Sequence, residues 1–281
     1  MNTPRDAELE EVLRIAREAS AVIRAIYEAG FSVELKGPDD PVTRADREAN
    51  DLICAALARA FPGDAILAEE SVPTDKAEIA RLAAQPRVWF VDPLDGTKEF
   101  TERIDGEFAV MIGLAEAGRA TLGVVVMPST NVALLGRVEG ARGHVALLER
   151  ASGEREPLAV TSQADPRAAG MMVSRSHRPK VADLVAEKLG VTRMIPCGSV
   201  GVKVARVVTA EADVYVHGGG GPKSWDTCAP EAILRAAGGR FTDLAGEPLA
   251  YDIPTVARTG GLLASNAALF EQVRAVTRSA G

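Results

Sequence analysis

The chain has 281 residues, enough for one large or two medium cores, with 47% hydrophobic and 25% charged residues and a formal net charge of −7. That balance excludes a nucleic-acid polymer as partner, which would need a basic face, but leaves room for a small phosphorylated substrate if a metal reverses the local field. No apolar run approaches the roughly 20 residues that span a bilayer, and the first stretch, "MNTPRDAELEEVLRIAREAS", mixes charge through its apolar positions unlike a signal peptide, so a cytoplasmic protein with no membrane partner is expected.

Residues 7–29 place Leu9, Val12, Leu13, Ala16, Ile23, Ile26 and Tyr27 on one helical face that ends at Gly30. A second helix is expected from about Thr43 to Ala60, opened by "TRAD" as a capping box with Thr43 as cap and Asp46 at the third helical position. "AILAEES" and "RVWFVDP" read as two short strands around a helix near 75–84, and each strand ends in acid. Between 107 and 161, "EFAVMIGLA", "ATLGVVVMP", "NVALLGRV" and "HVALLER" are separated by turn residues, the pattern of an antiparallel meander. Beyond it strands ("MMVSRS", "TRMIPC", "ADVYVH", "GLLASN") alternate with helices ("KVADLVAEKLG", "SVGVKVARVVTAEA", "TCAPEAILRAAGG"). The expected division is an α+β half over 1–160 and a smaller α/β half over 161–281.

Chemistry gathers where strands stop. "AEES" holds Glu69 and Glu70, "VDPLDGTKEF" holds Asp92 and Asp95, and "SWDTCAPEAIL" holds Asp226 at a strand-to-helix junction suited to an N-cap. Singly these are caps, turns and surface charge. Together, with no run of Lys or Arg between them, they would repel unless cations lie among them, and hard oxygen donors suit Mg²⁺ or Mn²⁺. Two metals of this kind acidify a water and clamp the attacking and leaving oxygens of a hydrolysis. Pro93 stiffens the turn, the Leu94 carbonyl can serve as a further ligand, Gly96 lets the backbone approach a phosphate, and the Thr97 hydroxyl can orient a water. The D-x-D-G-T motif of haloacid-dehalogenase-type phosphatases has its acids one residue closer, so the spacing here favours an activated water over a phospho-aspartate. Cys54, Cys197 and Cys228 lack any C-x-x-C spacing and read as reduced thiols, while His144, His177 and His217 are too scattered for a zinc site.

In this order, "AEES", "VDPLDGTKEF" and "SWDTCAPEAILRAAGG" resemble the lithium-sensitive, magnesium-dependent phosphatases related to inositol monophosphatase, and the resemblance runs from "DDPVTRAD" to "LLASN". It implies a layered αβαβα sandwich of the sugar-phosphatase type. It implies a first Mg²⁺ on Glu69, Asp92 and the Leu94 carbonyl, a second on Asp92, Asp95 and Asp226, and a third, weaker one near Glu69 and Glu70, so two or three ions per site, with Mn²⁺ as a substitute. Asp46 and Thr97 would position and deprotonate the attacking water, with Glu70 beside them in the catalytic group. "DGTKEF", "SRSH" and "WDTCAPE" are similar to the 3′(2′),5′-bisphosphate nucleotidase branch (CysQ-like), which removes the 3′-phosphate of adenosine 3′,5′-bisphosphate. On that reading Gly96, Thr97, Lys98, His177, Ser199 and Lys203 face the substrate: Lys203, with Arg175 as a further candidate, meets the second phosphate, and His177 stacks on adenine. An inositol or fructose-bisphosphate phosphatase of the same fold is the alternative, and a non-catalytic metal and nucleotide binder is the alternative of another class. Monomer and homodimer both remain open.

Overall fold

The computed structural model describes residues 4–37, 40–139, 143–176 and 178–279. The long first helix, α1 (Pro4–Ala29), is followed by a hairpin of β1 (Val33–Gly37) and β2 (Asp40–Thr43), then α2 (Arg44–Ala60), β3 (Ala65–Ala68), α3 (Lys76–Ala83), β4 (Arg87–Asp95) and a short α4 (Thr97–Thr101). The meander supplies β5 (Ala109–Glu116), β6 (Arg119–Met127), β7 (Val132–Glu139), β8 (Gly143–Glu149) and β9 (Arg155–Pro157). The second half runs β10 (Gly170–Ser174), α5 (Lys180–Leu189), β11 (Arg193–Cys197), α6 (Val200–Val208), β12 (Val214–His217), α7 (Ser224–Ala236), β13 (Arg240–Thr242), β14 (Leu262–Ser265) and α8 (Phe270–Thr277). None of the described helices is long and apolar enough to cross a membrane.

Strands β3 to β9 form a seven-stranded sheet in sequential order, and a five-stranded sheet has the order β11-β10-β12-β14-β13. Period-two alternation in β4 explains how one sheet serves two cores: Trp89 and Val91 pack with α1 and α2, whereas Val88 and Phe90 turn to the opposite face. That opposite core contains residues of α6 and α7 together with Tyr215, Phe241 and Leu262 of the second sheet. The outer face of the second sheet, through Val214, Val216 and Leu263, is covered by Ala182 and Val185 of α5 and Phe270 and Val273 of α8. The layers are therefore helix, sheet, helix, sheet, helix, as the resemblance implies.

Helix α7 lies unusually close to the first sheet because three glycines in neighbouring strands are in register, Gly113 opposite Gly123 and Gly123 opposite Gly136. A Cβ at Gly123 would stand 2.1 Å from the Ala229 carbonyl oxygen, and one at Gly136 would stand 2.3 Å from the Ile233 Cα. The groove they form seats the helix that carries Asp226.

The structure adds elements that the pattern does not announce: the β1–β2 hairpin, the short edge strands β9 and β13, and α8. It also shortens one expected strand, since "AILAEES" leaves the sheet after Ala68 and turns through a single 3₁₀ turn, Glu69–Ser71. Successive residues of a strand face opposite sides of the sheet, and the turn brings both acids to one side, where Lys36 meets them.

Candidate metal centre

Strand β3 runs parallel to β4, with Ala68 opposite Val91, so the acids following β3 arrive beside those ending β4. The β4–β5 pairing breaks register between Asp92 and Asp95, because Pro93 has no N–H to give the ladder. Asp92 is 2% exposed, and one of its oxygens accepts the Leu94 N–H at 3.0 Å. Gly96 then adopts φ 89°, and a Cβ there would sit 2.5 Å from the Glu107 carbonyl oxygen, so only glycine makes this turn into α4.

Asp95 is held from the other half of the chain. Its Oδ2 accepts Ser199 Oγ–H at 2.5 Å and Gly201 N–H at 2.6 Å. Asp226 comes from the first turn of α7. It is not the N-cap but the third helical residue, accepting the Lys223 N–H at 2.5 Å, because the helix begins earlier, at Ser224. Asp92, Asp95 and Asp226 each offer an oxygen within 4.8 Å of the others. A hard carboxylate donor set at this spacing fits a divalent cation such as Mg²⁺.

Glu69 and Glu70 share one ammonium: Lys36 of the hairpin donates to Glu69 Oε1 at 3.0 Å and to Glu70 Oε1 at 2.6 Å. Lys36 drew no attention in the sequence, and the alternation of its strand was the available signal, since Val33 and Leu35 are exposed on the opposite side at 48% and 69%. Asp46, 1% exposed, caps its own helix start as the sequence suggests, with Oδ2 accepting Thr43 N–H and Thr43 Oγ–H, both at 2.7 Å. Its second oxygen, Oδ1, accepts Thr97 Oγ–H at 2.9 Å, so capping and contact with Thr97 coexist. The Leu94 carbonyl also accepts from Thr97, at 3.0 Å.

The residues expected to face the substrate divide. Lys98 is exposed and has no acidic partner among the described residues. Arg175 is tied to Glu107, which also accepts the Gly198 N–H at 3.0 Å. Lys203, expected to meet the second phosphate, is 1% exposed and donates to the Gly198 carbonyl at 2.7 Å and the Cys197 carbonyl at 3.3 Å. Its burial follows from the place of α6, between the two sheets. Ser199 caps α6, its oxygen accepting the Val202 N–H, while its proton goes to Asp95. His177 lies outside the described residues.

Burial, followed by Glu69 and its neighbours, pushes Asp92 well above the usual carboxylate range, and burial followed by Asp95 pushes Asp226 up to about 8. Burial likewise raises Asp95, Glu69 and Asp46. In metal-free protein the folded state therefore keeps protons that the unfolded chain releases. For Asp226 the stabilising difference is complete below 3.8 and is lost as pH rises through about 8. His217 acts oppositely, because burial lowers its pKa from 6.5, but it is one group against the five clustered carboxyls. The expected outcome is a melting temperature in EDTA that falls from about pH 4 to about pH 8, and a fall largely cancelled by Mg²⁺. A flat or rising profile in EDTA would contradict the mutual repulsion inferred here.

Comparison with known proteins agrees with this geometry. The profile of the inositol monophosphatase family matches residues 6–280. A human relative named 3′(2′),5′-bisphosphate nucleotidase 1 is 31% identical over 265 residues, covering 84% of this chain and 83% of its own. The 3′(2′),5′-bisphosphate nucleotidase CysQ of Salmonella typhimurium is 35% identical over 246 residues, covering 86% and 93%. Among solved structures, CysQ from Bacteroides thetaiotaomicron superposes with a TM-score of 0.74 at 30% identity over 94% of this chain and 99% of its own. The IMPase of Thermotoga maritima has the same fold, with a TM-score of 0.77 at 24% identity over 97% of each chain.

Proposed function

The chain belongs to the inositol monophosphatase family, and from that premise we propose that it is a Mg²⁺-dependent phosphomonoesterase acting on the 3′-phosphate of adenosine 3′,5′-bisphosphate. The observation that carries the reading is the convergence of Asp92, Asp95 and Asp226 beside the hydrogen-bonded pair of Thr97 and Asp46. The nucleotide as substrate is supported by the names of the relatives at 31% and 35% identity.

Two or three Mg²⁺ ions, when bound, would supply Lewis-acid polarisation of the water and of the phosphoryl oxygens. Asp92, Asp95, Asp226, Glu69 and the Leu94 carbonyl would hold them, with Glu70 at the weaker third position. The remaining work falls to the chain. Thr97 Oγ receives a proton from the attacking water as its own moves to Asp46 Oδ1. Burial raises the affinity of Asp46 for that proton, which suits a base working near neutral pH. Gly96 lets the backbone come close to the scissile phosphate, and Ser199 keeps Asp95 in place across the two halves.

The second phosphate needs a cation away from the metals. Lys98, three residues from Asp95, exposed and without an acidic partner among the described residues, supplies it. Lys203, buried against the Gly198 and Cys197 carbonyls, belongs to the frame of the site. Lys98→Ala should therefore lower kcat/KM for adenosine 3′,5′-bisphosphate by roughly 10- to 150-fold and leave inositol 1-phosphate nearly unchanged. Lys203→Ala should lower both alike. A selective loss from Lys203→Ala with none from Lys98→Ala would reverse the two assignments.

The test of the reaction itself is phosphate release from adenosine 3′,5′-bisphosphate, inositol 1-phosphate and fructose 1,6-bisphosphate, with Mg²⁺ and with EDTA. The expected result is Mg²⁺-dependent release with the nucleotide preferred. A stronger preference for either sugar phosphate would overturn the substrate, and release that survives EDTA would overturn the metal. No release from any substrate would favour a metal and nucleotide binder.

A further inference from the structure

A second concentration of charge lies away from the carboxylates. It is a cleft of about 230 Å³ where the edge strand β13 meets the first sheet across the C-terminal half of α7. Its lining includes Arg119 from the start of β6, Arg235 from α7 and Arg240 from β13, with Thr242, Phe241 and His144 beside them. Along α7, Arg235 is nine residues from Asp226, about 13 Å at 1.5 Å per residue, so the cleft is separate from the metal centre.

One acid, Glu231, lines this cleft, and it is already engaged. It is fully buried and accepts Tyr251 O–H at 2.7 Å and Arg235 Nη1–H at 3.3 Å. Arg235 also donates to the Ala120 carbonyl at 3.0 Å. The other two guanidiniums form no ion pair among the described residues, although the charge of Arg119 lies near enough to favour ionised Glu231. Arg119 is exposed, and its hydrogen bonding among the described residues is a 3.5 Å contact with the Leu249 carbonyl. Arg240 is exposed, and its guanidinium stacks on the Phe270 ring at 4.1 Å, which fixes its plane and leaves its N–H edge free. In a chain of net charge −7, three arginines converging on one cleft with one saturated acid form a local excess of positive charge.

Planar guanidiniums with free N–H edges match the oxygens of a tetrahedral oxyanion, to which they donate in pairs. We propose that this cleft binds a phosphate-type oxyanion, either inorganic phosphate or the phosphate of a small monoester, independently of the metal centre.

Calorimetric titration in EDTA tests it, because without metals the carboxyl site has no cation to hold a phosphate. The probes are inorganic phosphate and, separately, glycerol 1-phosphate. Saturable binding is expected in the wild type and in Asp95→Asn, and the Arg119→Gln/Arg240→Gln double variant should bind roughly 10- to 100-fold more weakly. Tighter binding of the monoester than of phosphate would identify an esterified ligand, and equal or weaker binding would identify the free anion. Arg119→Gln alone, at an exposed position, should shift affinity in the same direction by less, so a folding defect in the double variant leaves the test intact. The absence of saturable binding in the wild type, or unchanged affinity in the arginine variants, would overturn the proposal. So would binding lost in Asp95→Asn but kept in the arginine variants, since that would place the anion at the carboxylates.

Discussion

Asp95→Asn should reduce phosphate release to nearly nothing in a protein that folds normally. The two donors that meet Asp95 Oδ2, Ser199 Oγ–H at 2.5 Å and Gly201 N–H at 2.6 Å, can be met equally by the amide oxygen of asparagine. The tie between the two halves of the chain therefore survives. What changes is the other side of the group, where an amide NH₂ replaces an anionic oxygen within the triad formed with Asp92 and Asp226. A donor cannot ligate a cation, and the triad loses a third of its charge, so Mg²⁺ affinity and activity should fall together. Removing one buried carboxylate from a repelling cluster should also leave the metal-free protein no less stable than wild type. Retention of more than about a tenth of wild-type kcat, a loss under ~1.4 kcal/mol, would exclude Asp95 as a ligand needed for catalysis.

Thr97→Val should be nearly as inactive while binding Mg²⁺ as the wild type does. Valine keeps the shape and β-branching of threonine and removes the hydroxyl that donates to Asp46 Oδ1 at 2.9 Å and to the Leu94 carbonyl at 3.0 Å. Asp46 keeps its two bonds from Thr43, so α2 stays capped. Loss of the proton path should lower kcat by roughly 10²- to 10⁴-fold, and Thr97→Ser should recover most of it. Parallel Mg²⁺ titrations separate this variant from Asp95→Asn, whose defect begins with the metal. A Thr97→Val enzyme with kcat within about fivefold of wild type would remove Thr97 and Asp46 from the proton-transfer role.

Several features of the site are local and therefore readable in one dimension. The capping box of Thr43 and Asp46 depends on residues three apart. The break at Asp92-Pro93 and the glycine turn at Gly96 depend on a missing N–H and a missing Cβ, both properties of single residues. The strand alternation of β4, buried on both faces, likewise follows from its own side chains.

Asp226 shows the limit of that reading. Its sequence context suggested an N-cap, but the helix begins at Ser224 and Asp226 becomes the third helical residue. Helix starts are set by which backbone N–H groups find partners, and here Ser224 N–H is bonded to the distant Val256 carbonyl at 2.7 Å. The lysines show it from two sides. By resemblance Lys203 meets a substrate phosphate, yet α6 is sandwiched between sheets and its ammonium turns to the carbonyls ending β11. Lys36 looked unremarkable until pairing of β1 with β2 carried it to Glu69 and Glu70, more than 30 positions away.

The sequence by itself determined the acids, the turns that aim them and the alternation that builds two cores on one sheet, because these depend on spacing along a few consecutive residues. The tertiary structure alone decided which acids meet, which cations are free and where a second charged cleft opens. Those depend on the register of three glycines in separate strands and on a helix seated in the groove they leave, and no local pattern encodes a contact between residues more than a hundred positions apart.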